Sequence, residues 1–155
     1  MEGVKRVIAG YSGGLEPFPN YSNIQDHVLA LFVEFNPNKV SLNSILEMWY
    51  DNDDPWRDEE SLLDEEDNGD IFNYERSAIY TTSPEQYEQV YQFLTKLAKT
   101  RPNEYLHVDI DRATNFYQAE EYHQDYIVKQ VRAAKAHVEA YRNGEIKSGL
   151  FTIYE

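Results

Sequence analysis

Val28–Phe35 is an eight-residue run broken only by Glu34, and no other stretch constrains the fold as much. Leu29, Leu31, Val33 and Phe35 recur at period two on one face, against Val28, Ala30, Phe32 and Glu34 on the other, so the run reads as a well-buried strand. Val4–Tyr11 is the strand before it, mixing β-branched residues with Lys5 and Arg6 and ending at Gly13 and Gly14. Between the two, Pro17 and Pro19 stiffen a loop that can aim Tyr21 at a fixed target.

After a turn at Asn36-Pro37-Asn38, Ser41 can cap a helix in which Leu42, Ile45, Leu46 and Trp49 share a face. Ser77–Thr82 returns to strand character. Ser83-Pro84-Glu85-Gln86 is a capping box with proline at the first helical position, and it predicts a helix from Pro84 to about Lys99. Its stripe is Tyr87, Val90, Tyr91, Leu94 and Leu97, and Thr100-Arg101-Pro102-Asn103 stops it. A short strand over Leu106–Ile110, a helix from Ala119 to about Tyr141 and a strand-like Leu150–Tyr154 complete the chain. The expected class is α+β: one domain over residues 1–155, a two-layer sandwich of a mixed sheet with packed helices.

At 155 residues a chain can bury about two thirds of its unfolded surface in one core. The hydrophobic fraction of 41% with 14% aromatics supports a packed core and excludes general disorder. No apolar run is long enough for a membrane span and no signal peptide is visible, so the chain reads as soluble and, by default, intracellular. It contains no cysteine, which excludes disulfides, thiolate catalysis and thiolate metal sites within it. The net charge of −14 disfavours nucleic acid and anionic membranes as partners.

Residues 51–70 hold eleven acids against the single base Arg57, and so carry −10 of that −14. They read as an acidic loop insertion that docks a protein with a basic surface. Asp58, Glu59, Glu60, Asp64, Glu65 and Glu66 supply the charge, with Trp56, Leu62 and Leu63 as apolar anchors. Asp64–Glu75 also fits a calcium-loop template, with oxygens at positions 1, 3, 5 and 12 and Gly69 at position 6. Against it, Glu66 stands where a shorter side chain is usual, and the segment after Glu75 reads as strand where such a loop needs helix. No metal or cofactor is expected.

Phe116-Tyr117-Gln118-Ala119-Glu120-Glu121-Tyr122-His123-Gln124-Asp125-Tyr126, preceded by Gly10-Tyr11-Ser12-Gly13-Gly14 and Arg76-Ser77-Ala78-Ile79-Tyr80, resembles the signature segments of A-type peptide methionine sulfoxide reductases. The resemblance covers about residues 4–128 and implies that family's ferredoxin-like core, with a C-terminal helix and strand over 129–155 beyond the signature. It also implies that the cysteine nucleophile, with its strand and helix, lies upstream of anything in this chain. At the position of the family's proton-donating glutamate stands Leu29.

By the same resemblance Tyr21 matches a sulfoxide-contacting tyrosine and Asp70 the aspartate of a binding loop. Glu75 replaces a second tyrosine, with Tyr74 beside it as a shifted substitute, and His123 belongs to the signature. Tyr21, Asp70, Tyr74, Glu75 and His123 are accordingly expected as vestigial ligand-binding positions. The expectation is a non-enzyme: a catalytically inactive relative acting as an interaction or structural subunit through its acidic surface. The alternatives are a reductase component whose nucleophile comes from a partner chain, and a module that binds methionine sulfoxide. Either Leu150–Tyr154 or a strand from a partner is expected to replace the missing central strand.

Overall fold

The computed structural model describes residues 1–57 and 76–143. In chain order the elements are β1 (Val4–Ser12), β2 (Val28–Phe35), α1 (Leu42–Tyr50), β3 (Trp56–Arg57), β4 (Ala78–Thr81), α2 (Pro84–Ala98), β5 (Tyr105–Leu106), β6 (Asp109–Arg112), β7 (Phe116–Gln118), a 3₁₀ turn (Glu121–His123) and α3 (Tyr126–Arg142). The chain is therefore α+β, with parallel and antiparallel pairing both present. Residues to Glu120 form one compact unit and those from Glu121 a second.

In the first unit β1 lies between β2 and β7, antiparallel to both. Tyr11 stands opposite Leu29 on one side and Tyr117 on the other. Gly10 is needed in this ladder because a Cβ there would run into the Tyr117 carbonyl and the Phe116 ring. β4 and β6 pair in parallel, with α2 supplying the crossover that parallel neighbours require. β3 pairs with β5.

The helices start where their caps predict. Ser41 Oγ accepts from the Ser44 amide at 3.1 Å, and Ser83 Oγ from the Gln86 amide at 3.3 Å. The Gln86 side chain does not close the box on Ser83: its oxygen accepts from both the amide and the hydroxyl of Thr82. Leu46 of α1 and Val90 and Leu94 of α2 form a buried cluster, flanked by Leu42, Trp49, Ile79, Phe93, Leu106, Val108 and Ile110. Tyr87 and Tyr91, expected in that stripe, are exposed.

Three expectations are corrected. β2 is not well buried: Leu29 and Leu31 are exposed, and among the described residues the strand pairs with β1 alone. Alternation fixes which side chains share a face but not which edge and face are covered. The strand expected over Leu106–Ile110 is two strands. His107 N donates to the Pro55 carbonyl at 2.8 Å and Asp109 N to the Ser77 carbonyl at 3.0 Å, so the chain changes partner between them.

The last helix begins at Tyr126 rather than Ala119. Phe116–Gln118 are committed to β1, and Asp125 adopts a left-handed φ of 52°, which no helix interior tolerates. Lys129 ties the preceding turn to α3 through the Glu121 carbonyl at 2.7 Å. Leu150–Tyr154 lies outside the described residues, as does the Asp64–Glu75 calcium template.

Candidate functional site

Tyr21 sits at the tip of a tight turn in which Asn20 and Asn23 exchange backbone hydrogen bonds at 3.1 and 2.9 Å. The Asn20 side-chain oxygen accepts from the amides of Ser22 and Asn23, the way asparagine commonly closes a turn. Tyr21 is left 53% exposed. Its own amide donates to Glu120 Oε1 at 3.1 Å, and Glu120 Oε2 accepts from the hydroxyl of Tyr11 at 2.7 Å. Tyr11 is buried in β1, so the carboxylate links the turn to the central strand.

The chain leading to that turn is braced by two neighbouring residues. Gly14 N donates to His27 Nδ1 at 3.1 Å, which places the ring proton on Nε2, and Nε2 donates to the Glu16 carbonyl at 2.8 Å. The imidazole is fully buried and meets Tyr117 edge to face at 5.4 Å. Asp26 accepts from the amides of Leu15, at 2.6 Å, and Glu16. The Leu15 amide is the main reason its carboxyl is held below the usual aspartate value. Phe18 follows in a left-handed conformation with φ 58° and is 82% exposed. The brace thus holds a loop with its apolar side chains outward.

The remaining expected positions fall as follows. His123 lies in the second unit, half-buried, its ring 4.1 Å from that of Tyr122. Asp70, Tyr74 and Glu75, and with them Asp58, Glu59, Glu60, Leu62, Leu63, Asp64, Glu65 and Glu66, lie outside the described residues. Trp56 is corrected: it is no exposed anchor but buried, its indole N–H donating to the Tyr50 hydroxyl at 3.0 Å and its ring covered by Arg101 at 4.9 Å. Asp53, at the edge of the acidic stretch, accepts from the Ser77 hydroxyl at 2.7 Å and so is part of the frame. Leu29 is 44% exposed opposite Tyr11, and it offers no proton to a ligand.

Glu120 and Asp26 were missed as site residues because their partners lie far away or in loops. The histidine-aspartate pair next to the buried strand start was the one local signal. Among the described residues no group of three or more histidines, aspartates or glutamates could hold a metal ion. No helix among them is long and apolar enough to cross a membrane.

The described residues thus place an exposed tyrosine on a braced turn beside the Glu120 carboxylate. The sequence profile described as "Peptide methionine sulfoxide reductase" matches residues 1–149. A Pseudomonas putida protein named peptide methionine sulfoxide reductase MsrA is 36% identical over 136 residues, covering 83% of this chain and 58% of that protein. A Leuconostoc mesenteroides protein of the same name is 33% identical over 134 residues, covering 83% of this chain and 75% of its own length. Among solved structures, Mxr1 from Saccharomyces cerevisiae in its reduced form superposes with a TM-score of 0.64 at 20% identity, over 83% of this chain and 72% of that one. That likeness shows the fold. This chain belongs to the peptide methionine sulfoxide reductase family, and it spans about three fifths of the length of the Pseudomonas relative.

Membership overturns one expectation outright. The expectation of a non-enzyme does not hold: its family and its relatives at 33–36% identity are named as reductases. Missing thiol and acid side chains in a stretch of sequence say where parts of a reaction are not, and do not remove the chain from an enzyme.

Proposed function

We propose that this chain takes part in the reduction of methionine sulfoxide in peptides, presenting Tyr21 to the sulfoxide while a cysteine of another polypeptide supplies the thiol. The observation that carries this is the exposed Tyr21 on a turn braced by Asn20 and Glu120. In such a reaction the thiol sulfur attacks the sulfoxide sulfur, and the oxygen leaves the substrate as part of a sulfenic acid. Methionine sulfoxide is reduced to methionine and the cysteine oxidised by two electrons, so one thiol consumes one sulfoxide. Tyr21 would donate its hydroxyl proton as a hydrogen bond to the sulfoxide oxygen, favouring the charge that develops there.

The test is a titration of the chain with N-acetyl-methionine-(S)-sulfoxide methylamide, followed through amide NMR shifts. Shifts at Tyr21 and its neighbours are expected, and Tyr21→Phe should weaken affinity about fivefold, the worth of one neutral hydrogen bond. No shifts at saturating ligand would reject the reading.

The polypeptide that brings the thiol is proposed to carry a basic face, since residues 51–70 concentrate −10 of charge on this chain. A complex with it should weaken steeply as sodium chloride rises from roughly 0.05 to 0.5 M, because a shorter screening length removes exposed charge attraction. An affinity indifferent to salt would leave the acidic stretch without this role.

A further inference from the structure

We propose that Glu120 is a positioning residue for sulfoxide recognition: its carboxylate, anchored by Tyr11, aims the turn that carries Tyr21. This rests on the reading that Tyr21 meets the sulfoxide.

The internal bonds of the turn set its shape but not its direction. Asn20 and Asn23 close it, and the Asn20 side chain caps two of its amides, yet each of these bonds joins residues within three positions of one another. The hydrogen bond from the Tyr21 amide to Glu120 reaches outside the turn, across 99 residues.

Glu120 is itself firmly placed. Its neighbour Ala119 is buried, and the Ala119 amide donates to the Ala9 carbonyl at 2.9 Å, prolonging the β1–β7 ladder up to the residue before the carboxylate. Tyr11, 1% exposed on β1, then donates to Oε2 at 2.7 Å, a short hydrogen bond to an acceptor that is charged when ionised. Two oxygens of one planar group thus meet two donors from distant parts of the chain. The Tyr11 hydroxyl fixes the plane of the carboxylate, and that plane sets where the Tyr21 amide is met. Recognition sites of this kind depend on such supporting contacts to hold a contacting side chain within reach of its ligand.

The arrangement separates alanine from glutamine. Alanine removes both acceptors. Glutamine keeps one carbonyl oxygen for the Tyr21 amide and can turn its NH₂ toward the Tyr11 oxygen, which accepts as readily as it donates. The experiment uses the full chain, ¹⁵N-labelled, with the same sulfoxide amide and with amide hydrogen exchange read at Tyr21. In Glu120→Ala the Tyr21 amide is expected to exchange at least about tenfold faster and the affinity to fall about fivefold, while Glu120→Gln stays within about twofold of the parent in both.

Unchanged Tyr21 exchange in Glu120→Ala would overturn the proposal whatever the ligand does. An unchanged affinity in Glu120→Ala beside a weakened one in Tyr21→Phe would overturn it while leaving the sulfoxide reading in place. If Tyr21→Phe has no effect, that reading falls and this one with it. Should Glu120→Ala fail to fold, Tyr11→Phe removes only the anchoring hydroxyl. Faster Tyr21 exchange in that variant supports the proposal, and parent-like exchange overturns it.

Discussion

Replacing His27 with alanine is expected to cost about 3 kcal/mol of folding stability and to release residues 13–16 from the frame. The imidazole is fully buried and both ring nitrogens are used, one as acceptor for the Gly14 amide and the other as donor to the Glu16 carbonyl. Alanine leaves that amide and carbonyl without their partner, and it leaves a hole beside Tyr117. A buried backbone group deprived of its partner accounts for about 1–3 kcal/mol, and the lost ring volume adds to it. Urea unfolding measures the first effect and hydrogen exchange at Gly14 the second. A loss below about 1 kcal/mol, with Gly14 still protected, would mean that Asp26 alone holds the loop.

Gly10→Ala should be at least as damaging, by roughly 3–5 kcal/mol, although it adds one methyl group. That methyl has nowhere to go: it meets the backbone carbonyl of Tyr117 on one side and the Phe116 ring on the other. A side chain could rotate away, but a carbonyl can move only if β7 leaves β1. Since Ala119 and Glu120 continue from β7, the variant should lose the carboxylate clamp on Tyr21 together with the strand. The readouts are the thermal midpoint and the shift of the Tyr21 amide. A variant that keeps the parent midpoint would show that the two strands approach less closely than this geometry requires.

What the sequence made legible was local. Ser41 and Ser83 cap helices because each acceptor lies three residues from its donor, and the spacing of Leu42, Leu46, Val90 and Leu94 is enough to find the core. β1 and β2 were found at nearly their true bounds from alternation and the glycines after Tyr11. Tyr21 stood out by the two prolines before it, and its side chain is exposed. Family membership, too, was visible in three short segments.

The rest depended on contacts between residues distant in the chain. Phe116–Gln118 is too short to show a period, and only β1 makes it a strand. Glu121 and Tyr122 favour helix well enough, but the left-handed Asp125 postpones it to Tyr126. Trp56 looked like an anchor among charges because nothing local shows Arg101 lying over its ring. Glu120 could not be singled out from the neighbouring Glu121 at all, since the difference between them is set by Tyr11, 109 residues away.

That separation also orders events in time. β1 and β2 can pair as soon as residue 35 is made, but the third strand of their sheet comes from Phe116–Gln118, and the Ser12 hydroxyl finds its acceptor at Asn115. Closing a loop of about a hundred residues is among the slower steps a small chain can take, because the entropy of bringing the ends together is lost before any contact repays it. Until then the β1 edge that β7 covers lacks that strand. The Tyr21 amide can therefore meet Glu120 only after these 99 intervening positions have been made.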